Sequence, residues 1–546
     1  MNGEQRDRIT ESAGRFLPPE GVTLSYGTAG FRADASLLES TVFRMGILSA
    51  LRSLKTGSVI GLVITASHNK ISDNGIKVAD PCGGMLTQGW EPFANSLANA
   101  RESEDLLRLL DDFVVKESID FGGSRIPEVF LGRDTRPSGD SLVEVAKLGI
   151  CSIAGALAHD MGIVTTPQLH WMVRARNQGF RYTESDYFDQ LNSSYTVLMD
   201  LIPDEHKVTK LEDKLIIDGA YGVGGDKLMF LKPLPHHVSL EVRNSARDGG
   251  LLNENVGADY VQKEKLIPLG FGKKDIKSRC ASLDGDADRF IYFMVDPNDH
   301  KNAILLDGDK ILSLYATFIK EQLAFLSVTR DQVRVGVVQT AYANGASTNY
   351  LKSLDLDVVF APTGVKHLHK QASGYDIGIY FEANGHGTIL FSNSFISWLE
   401  TQKQILSKTS SEYMAVMRLV AVHDLMNQAV GDALSGLLLV EVVLKHKGWS
   451  MESWNELYND LPSRQLKVKV PDRDCVQTSC DETVAIKPDG IQEEIDGEVA
   501  KYCDGRCFIR PSGTEDVVRI YSEASTQEDA NNLANKVADL VRQYLV

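Results

Sequence analysis

Asp284-Gly285-Asp286-Ala287-Asp288 places three carboxylates at alternate positions of the chain, and Arg289 follows directly. Carboxylate oxygens are hard ligands suited to Mg²⁺ or Ca²⁺, and small residues between the acids let the backbone wrap all of them around one ion. An EF-hand calcium loop would need Gly at its sixth position and Glu at its twelfth, where this chain has Arg289 and Val295. The flanking runs Ala281-Ser282-Leu283 and Phe290-Ile291-Tyr292-Phe293 are apolar. The acids therefore read as a metal loop between two strands.

A second reactive string is Thr65-Ala66-Ser67-His68-Asn69, at the carboxyl end of the strand-like run Ser58 to Thr65. A hydrolase triad fits poorly, because the chain lacks a Gly-x-Ser-x-Gly elbow here and adjacent residues rarely serve as nucleophile and base. A phosphorylated Ser67 fits better: a phosphoryl group carries about −1.5 to −2 charge and needs cations and a metal beside it. His68, Lys77 and the Asp284 loop could supply them. Further on, Glu382 and Asn384 of Glu382-Ala383-Asn384-Gly385-His386-Gly387 can together hydrogen-bond vicinal hydroxyls, as in sugar recognition, or simply form a hairpin turn. Arg510-Pro511-Ser512-Gly513-Thr514-Glu515, with Arg519 in the next strand, offers a guanidinium, two hydroxyls and an accessible backbone N–H, a good anion cradle. Tyr26 to Arg32 and Gly132 to Gly139 are Gly-containing turns that match no phosphate-binding loop. The Gly222 loop has Lys227 where a dinucleotide fingerprint needs its third Gly, so no nucleotide cofactor is indicated.

The elements that must position these residues share one grammar. An apolar run ends in a Gly-rich or polar loop and a helix-like stretch follows, as at Ser58 to Asn69, Leu215 to Gly225 and Val335 to Gly345. Alternating strands and helices predict α/β units whose ligands sit at the carboxyl ends of the strands. After Asn459-Asp460-Leu461-Pro462-Ser463-Arg464, which reads as a linker, the chain alternates through Leu466 to Val470. It ends in an amphipathic helix from about Gln527 to Tyr544. That tail predicts a separate α+β domain able to act as a lid.

Composition narrows the function. At 546 residues the chain needs several cores, and 43% hydrophobic with 24% charged residues is ordinary globular usage. No apolar run reaches the roughly 20 residues that span a bilayer, and the start lacks a signal-peptide core. A net charge of −17 disfavours nucleic acid, so cations for a phosphate ligand must be gathered locally. Seven scattered cysteines without a Cys-x-x-Cys pair suggest a reducing compartment, the cytoplasm, and no zinc site.

Taken in order, Thr-Ala-Ser-His-Asn, Asp-Gly-Asp-Ala-Asp-Arg, Glu-x-Asn-Gly-His and Arg-Pro-Ser-Gly-Thr-Glu resemble the motifs of the α-D-phosphohexomutase superfamily, spread from Ser67 to Glu515. Asn384, where glucose and mannose relatives usually have Ser, makes the chain most similar to the eukaryotic phosphoacetylglucosamine mutase branch. The resemblance implies an α/β protein of four domains, with three related mixed α/β units around a cleft and a C-terminal α+β lid. The expected domains are a phosphoserine-loop domain (1–182), a metal-binding domain (183–298), a sugar-binding domain (299–456) and a phosphate-binding domain (457–546).

It further implies Mg²⁺ held by Asp284, Asp286, Asp288 and a phosphoryl oxygen on Ser67, with Lys77, Arg32, Arg289 and His68 as cations that offset the excess charge. Lys77 is the expected general base, with His367 as an alternative. Thr363, Gly364, Lys366, His367, Glu382, Asn384 and Gly385 would bind the sugar. Arg510, Ser512, Gly513, Thr514 and Arg519 would hold the phosphate that is not reacting. The implied reaction moves a phosphoryl group between two positions of N-acetylglucosamine phosphate through a 1,6-bisphosphate. A mutase of broader sugar specificity, a sugar-phosphate phosphatase and a non-catalytic sugar-phosphate sensor are the alternatives.

Overall fold

The computed structural model describes residues 3–28, 30–121, 125–207, 214–231, 239–326, 328–329, 331–513 and 515–545. Two compact units emerge: residues 1–305 with 421–442, and residues 306–420 with 443–546. Among the described residues no helix is long and apolar enough to cross a membrane.

The first unit holds two mixed sheets. One is built from β1 (Phe31–Asp34), β2 (Ile60–Ile64), β3 (Asp73–Ala79), β4 (Glu128–Arg133) and β5 (Leu157–Ile163), in the order β1-β3-β2-β4-β5. β2 is buried along its whole length, as an Ile-Gly-Leu-Val-Ile run at the centre of a covered sheet should be. It pairs parallel with β4 and antiparallel with β3. The other sheet comprises β6 (Lys214–Asp218), β7 (Ser239–Arg243), β8 (Arg279–Leu283), β9 (Phe290–Val295) and β10 (Ala303–Leu306), in the order β10-β9-β8-β6-β7. Here β6 is parallel to both β7 and β8, while β8 and β9 are antiparallel.

The polar, aromatic stretch from Thr183, read from sequence as a boundary, is the helix Glu184–Asp200, and Thr183 caps it by a reciprocal bond with Asp186. Tyr187 in that helix donates to Asp432 at 2.8 Å, which ties the 421–442 segment into the first unit.

The second unit repeats the pattern. β11 (Val335–Gln339), β12 (Asp357–Phe360), β13 (Ile377–Phe381) and β14 (Gly387–Phe391) lie in the order β12-β11-β13-β14, and only the last pair is antiparallel. Three loops singled out in the sequence thus occupy one position in three sheets, the tip of the antiparallel hairpin: β2–β3 carries Ser67, β8–β9 carries Asp284 to Asp288, and β13–β14 carries Glu382 to His386. The order of synthesis differs, however. In the first sheet the hairpin precedes its parallel neighbours, and in the other two it follows them.

The tail forms a three-stranded antiparallel sheet, β15 (Ser463–Lys469), β18 (Arg506–Pro511) and β19 (Val517–Glu523), with the small hairpin β16 (Gln477–Thr478) and β17 (Ala485–Lys487). The helix Gln527–Leu545 buries Ala530, Leu533, Ala534, Val537, Ala538 and Val541, the one-sided stripe its sequence predicts. The tail meets the 340s loop through Tyr342, Phe508 and Tyr521 and through Arg506, which donates to Ala341 O at 2.8 Å and pairs with buried Glu523.

Candidate active site

Ser67 sits in a left-handed turn, φ 51°, a conformation that costs a non-glycine residue on the order of 1–2 kcal/mol and persists only if its surroundings hold it. They do. The Ser67 N–H donates to Thr65 Oγ1 at 2.9 Å, and the Thr65 hydroxyl donates to Asp134 at 2.6 Å. Asp134 pairs at 2.9 Å with Arg136, and both side chains are wholly buried. The Arg136 guanidinium then donates to the carbonyls of Ser67 (3.1 Å), Asn69 (2.9 Å), Asp73 (2.7 Å) and Lys70. Asn253 adds bonds to Ser67 O at 2.8 Å and Asn69 O at 2.9 Å. The Gly132 to Gly139 turn, which matches no phosphate-binding loop, is the clamp of the serine loop.

The acidic loop meets that turn. Ser67 Oγ donates to Asp284 at 2.6 Å and lies 3.4 Å from Asp288. A side chain at Gly285 would put its Cβ 2.6 Å from Ser67 O, so glycine is what lets the two loops close on each other. Asp284 also accepts the N–H groups of Asp288 and Arg289 at 3.1 Å each, which curls the loop around its own first acid. Lys77 reaches in from β3 to Asp286 at 2.7 Å and Asp288 at 2.8 Å, and Thr166 donates to Asp286 at 2.6 Å.

One ligand oxygen from each of the three acids lies within 4.8 Å of the others, and Asp286 Oδ1 is buried with no hydrogen-bond partner among the described residues. Burial, with Asp288 and Asp286 beside it, pushes the Asp284 carboxyl far above its ordinary range. Three such acids facing one ammonium are short of positive charge. An oxygen-lined, carboxylate-rich cage fits a hard divalent cation.

Two sequence expectations about charge change here. His68 was expected as a cation, but burial and the neighbouring Arg289 hold its pKa well below the ordinary value despite Asp259, which favours the neutral imidazole. Its Nδ1 lies 3.5 Å from Ser67 Oγ. Lys77 was expected as a general base. Burial lowers its pKa, yet Asp286 and Asp288 outweigh that and raise it, so Lys77 is held as an ammonium. Arg32, on β1, is shifted down by burial and by Arg289 while the three aspartates pull it back up, which places its guanidinium in the field of the acidic loop.

Asp259, not singled out in the sequence, gathers the cations. It pairs with Arg289 at 2.7 Å and Lys263 at 2.6 Å and lies 3.7 Å from His68 Nε2.

In the second unit Glu382 and Asn384 stand together at the tip of β13–β14, with Asn384 Nδ2 donating to Glu382 at 3.3 Å. Asn384 Oδ1 accepts the His386 N–H at 3.0 Å, and Gly385 N–H bonds Glu382 O at 2.9 Å, so the turn is fixed. Gly308 backs it: a Cβ there would lie 1.9 Å from Glu382 O. Thr363 and Gly364 lead into the helix Val365–Ala372, whose first turn carries partly buried Lys366 and His367.

Arg510 lies near the end of β18 and Ser512 follows that strand. Arg510 pairs with Glu482 at 3.0 Å, and Thr363 donates its N–H to the same Glu482 oxygen at 3.0 Å and its hydroxyl as well. Ser512 Oγ is buried and among the described residues has no hydrogen-bond partner. Gly513 is exposed, Arg519 lies 3.6 Å from Glu515, and Thr514 lies outside the described residues.

With this geometry in place, comparison with known proteins is decisive. Residues 307–449 match phosphoacetylglucosamine mutase AMG1, domain III, and residues 180–291 match domain II of the same family. Residues 46–103 and 466–540 match the phosphoglucomutase/phosphomannomutase alpha/beta/alpha domain I and C-terminal domain. The phosphoacetylglucosamine mutase of Arabidopsis thaliana is 62% identical over 100% of both chains. The chain belongs to the phosphoacetylglucosamine mutase family.

Among solved structures, the Aspergillus fumigatus N-acetylphosphoglucosamine mutase in complex with GlcNAc-6P and magnesium is 40% identical. It has a TM-score of 0.91 and covers 100% of each chain. The same fungal enzyme in complex with glucose 1,6-bisphosphate is 41% identical with a TM-score of 0.89, again over 100% of each chain. The four-domain architecture implied by the resemblance, three mixed α/β units and a C-terminal α+β domain, is that of this mutase family.

Proposed function

We propose that the chain interconverts N-acetylglucosamine 6-phosphate and N-acetylglucosamine 1-phosphate through a phosphoserine at Ser67, supplying UDP-N-acetylglucosamine biosynthesis in the cytoplasm. The observation that carries this reading is the Ser67 hydroxyl 2.6 Å from Asp284, inside a cage of three buried carboxylates. A plain sugar-binding protein has no use for a strained serine there. Asp284, Asp286 and Asp288 would hold Mg²⁺, whose charge, when bound, would draw electron density from the transferring phosphoryl oxygens.

O1 of N-acetylglucosamine 6-phosphate attacks the phosphoryl group on Ser67 Oγ, and the O1–P bond forms as the Oγ–P bond breaks. The O1 proton departs, and Ser67 Oγ takes up a proton to become a free hydroxyl beside the 1,6-bisphosphate. The bisphosphate turns over, and Ser67 Oγ takes the 6-phosphoryl group back, leaving the 1-phosphate. Lys77 and Arg32, fixed as cations, stabilise the charge that spreads over the phosphoryl oxygens in a loose transition state. When Ser67 takes a phosphoryl group its hydroxyl gives up a proton, and the acceptors beside it are Asp284, 2.6 Å from Oγ, and His68, whose Nδ1 lies 3.5 Å away. Glu382 and Asn384 bind hydroxyls that look alike in both orientations of the sugar, while Arg510, Ser512, Gly513, Thr514 and Arg519 hold the idle phosphate. Nucleic acid and membrane have no part in this scheme.

One assay tests it. Isomerisation of N-acetylglucosamine 6-phosphate is followed beside that of glucose 6-phosphate, with Mg²⁺ present and then chelated. Faster turnover of the N-acetyl sugar, no net release of inorganic phosphate and loss of turnover on chelation are expected. Stoichiometric phosphate release would instead identify a phosphatase.

A further inference from the structure

Three donors in the second unit converge on one oxygen. Glu482 Oε2 accepts the Thr363 N–H at 3.0 Å, the Thr363 hydroxyl, and the Arg510 guanidinium at 3.0 Å. These are the donors an anionic phosphate oxygen would use: a guanidinium, a hydroxyl and a backbone N–H just before the helix Val365–Ala372, whose positive end adds to the attraction.

The carboxylate is there by construction. Glu482 occupies the turn between β16 and β17 with φ 61°, left-handed for a side chain that gains nothing locally from it. Asp481 knots that turn, accepting from Ser479 Oγ at 2.5 Å, Thr483 Oγ1 at 2.9 Å and Thr483 N at 3.2 Å. The Glu482 N–H closes it on Ser479 O at 3.0 Å. A rigid, strained turn thus presents a negative charge to the Arg510 loop, where a carboxylate opposes phosphate binding.

We infer that Glu482 is a resident anion: it takes the donors of Thr363 and Arg510 whenever the substrate's phosphate leaves them, so that phosphate binding is an exchange of one anion for another. The inference rests on the reading above, in which Arg510 holds the idle phosphate. That reaction must loosen its grip on a phosphate once per turnover, when the bisphosphate reverses. Leaving a guanidinium and a hydroxyl unpaired at that moment is costly, and Glu482 removes the cost. It acts through Arg510 and Thr363 and is a positioning residue.

The test uses the full chain with Mg²⁺, titrated calorimetrically with N-acetylglucosamine 6-phosphate and separately with inorganic phosphate, beside steady-state turnover. Glu482→Gln keeps the shape and one acceptor oxygen but loses the charge, whereas Glu482→Ala loses both. Exchange predicts that both variants bind the sugar phosphate more tightly, roughly five-fold, with KM and kcat falling together because release slows. If Glu482→Gln binds as the wild type does and Glu482→Ala binds more weakly, Glu482 only props the two loops and the inference is overturned.

Should the alanine variant fail to fold by circular dichroism, the glutamine variant decides alone: tighter binding supports exchange, unchanged or weaker binding overturns it. Arg510→Ala separates the two levels. If its affinity for the sugar phosphate is unchanged, the cradle reading itself falls and takes the exchange with it. If Arg510→Ala binds weakly and the Glu482 variants do not bind more tightly, the cradle stands and only the exchange is lost.

Discussion

The two compact units carry opposite kinds of site. Around Ser67 the polar groups are withdrawn from water: Ser67, Asp284 and Asp286 are 0% exposed and Lys77 is 5% exposed. Each is held by bonds from elements far along the chain. Around Glu382, Thr363 and Arg510 the binding groups are partly exposed side chains on turn tips and loop ends, fastened mainly to one another. Charge transfer is cheapest where dipoles are fixed and water is absent, so the reacting groups are buried and strained. Recognition of a substrate that must reverse in the site calls for bonds that can be made and remade. The contrast is one between a preset field and an exchangeable grip.

Breaking the preset field gives the largest effects. Ser67→Ala removes the acceptor of the phosphoryl group, and kcat for N-acetylglucosamine 6-phosphate should fall by roughly 10⁴-fold or more with the fold unchanged, read by phosphorus NMR and circular dichroism. A variant that still isomerises the sugar would rule out the covalent route. Arg136→Met touches no substrate, yet it frees the Ser67 turn. We expect a loss of about 10²-fold in kcat with KM little altered, and a stability loss of about 3 kcal/mol because Asp134 is left buried and unpaired. An equal rise in KM would mean that the clamp serves binding.

Weakening the grip should act on affinity. Arg510→Ala is expected to raise KM about ten-fold or more, through loss of a charged hydrogen bond, with a smaller change in kcat. If kcat fell as far as in the Arg136 variant, the division between the units would not hold.

The smallest effects lie in pH dependence, where the units have opposite signs. His170 in the first unit is buried and its pKa is pushed down to about 4 from 6.5, so the unfolded chain takes up its proton first. Its contribution is complete above pH 6.5 and is lost as pH falls toward 4. Asp307 in the second unit is pushed up from 3.8 to about 7 by burial and by Asp460, so the folded chain keeps a proton that the unfolded chain sheds. Its contribution is complete below 3.8 and is lost as pH rises through 7. His170→Gln should therefore flatten the acid side of the melting-temperature profile, and Asp307→Asn the alkaline side. The same slope in both variants would contradict the assignment.

The reacting motifs were legible in the sequence because each is the tip of one hairpin. Asp284 to Asp288, Ser67 with His68, and Glu382 with Asn384 are local strings bounded by their own strands, and local strings can be read. Their partners could not be, since Thr166, Asn253, Asp259 and Glu482 are isolated polar residues that only the folded chain brings to the site. The advance signal among the partners was for Asp134 and Arg136, in a turn that already stood out. The charge states of His68 and Lys77 were also hidden. They depend on burial and on neighbours, Arg289 in one case and Asp286 with Asp288 in the other, that spacing along the chain does not reveal. The repeated strand-loop-helix grammar was visible, but the differing order of hairpin and parallel strands was not.

The clamp on Ser67 also sets a timetable for biosynthesis. Arg136 and Asn253 grip the serine carbonyl from 69 and 186 residues downstream. A nascent chain that has emerged only through β3 has the hydroxyl but neither grip, and only the local bond to Thr65 is there to offset the strain of the left-handed turn. The serine of an unfinished chain is an ordinary one. Reactive posture is acquired only after the second sheet has begun to form, so both grips on the serine leave the ribosome before Asp284 to Asp288 of the acidic cage have been added.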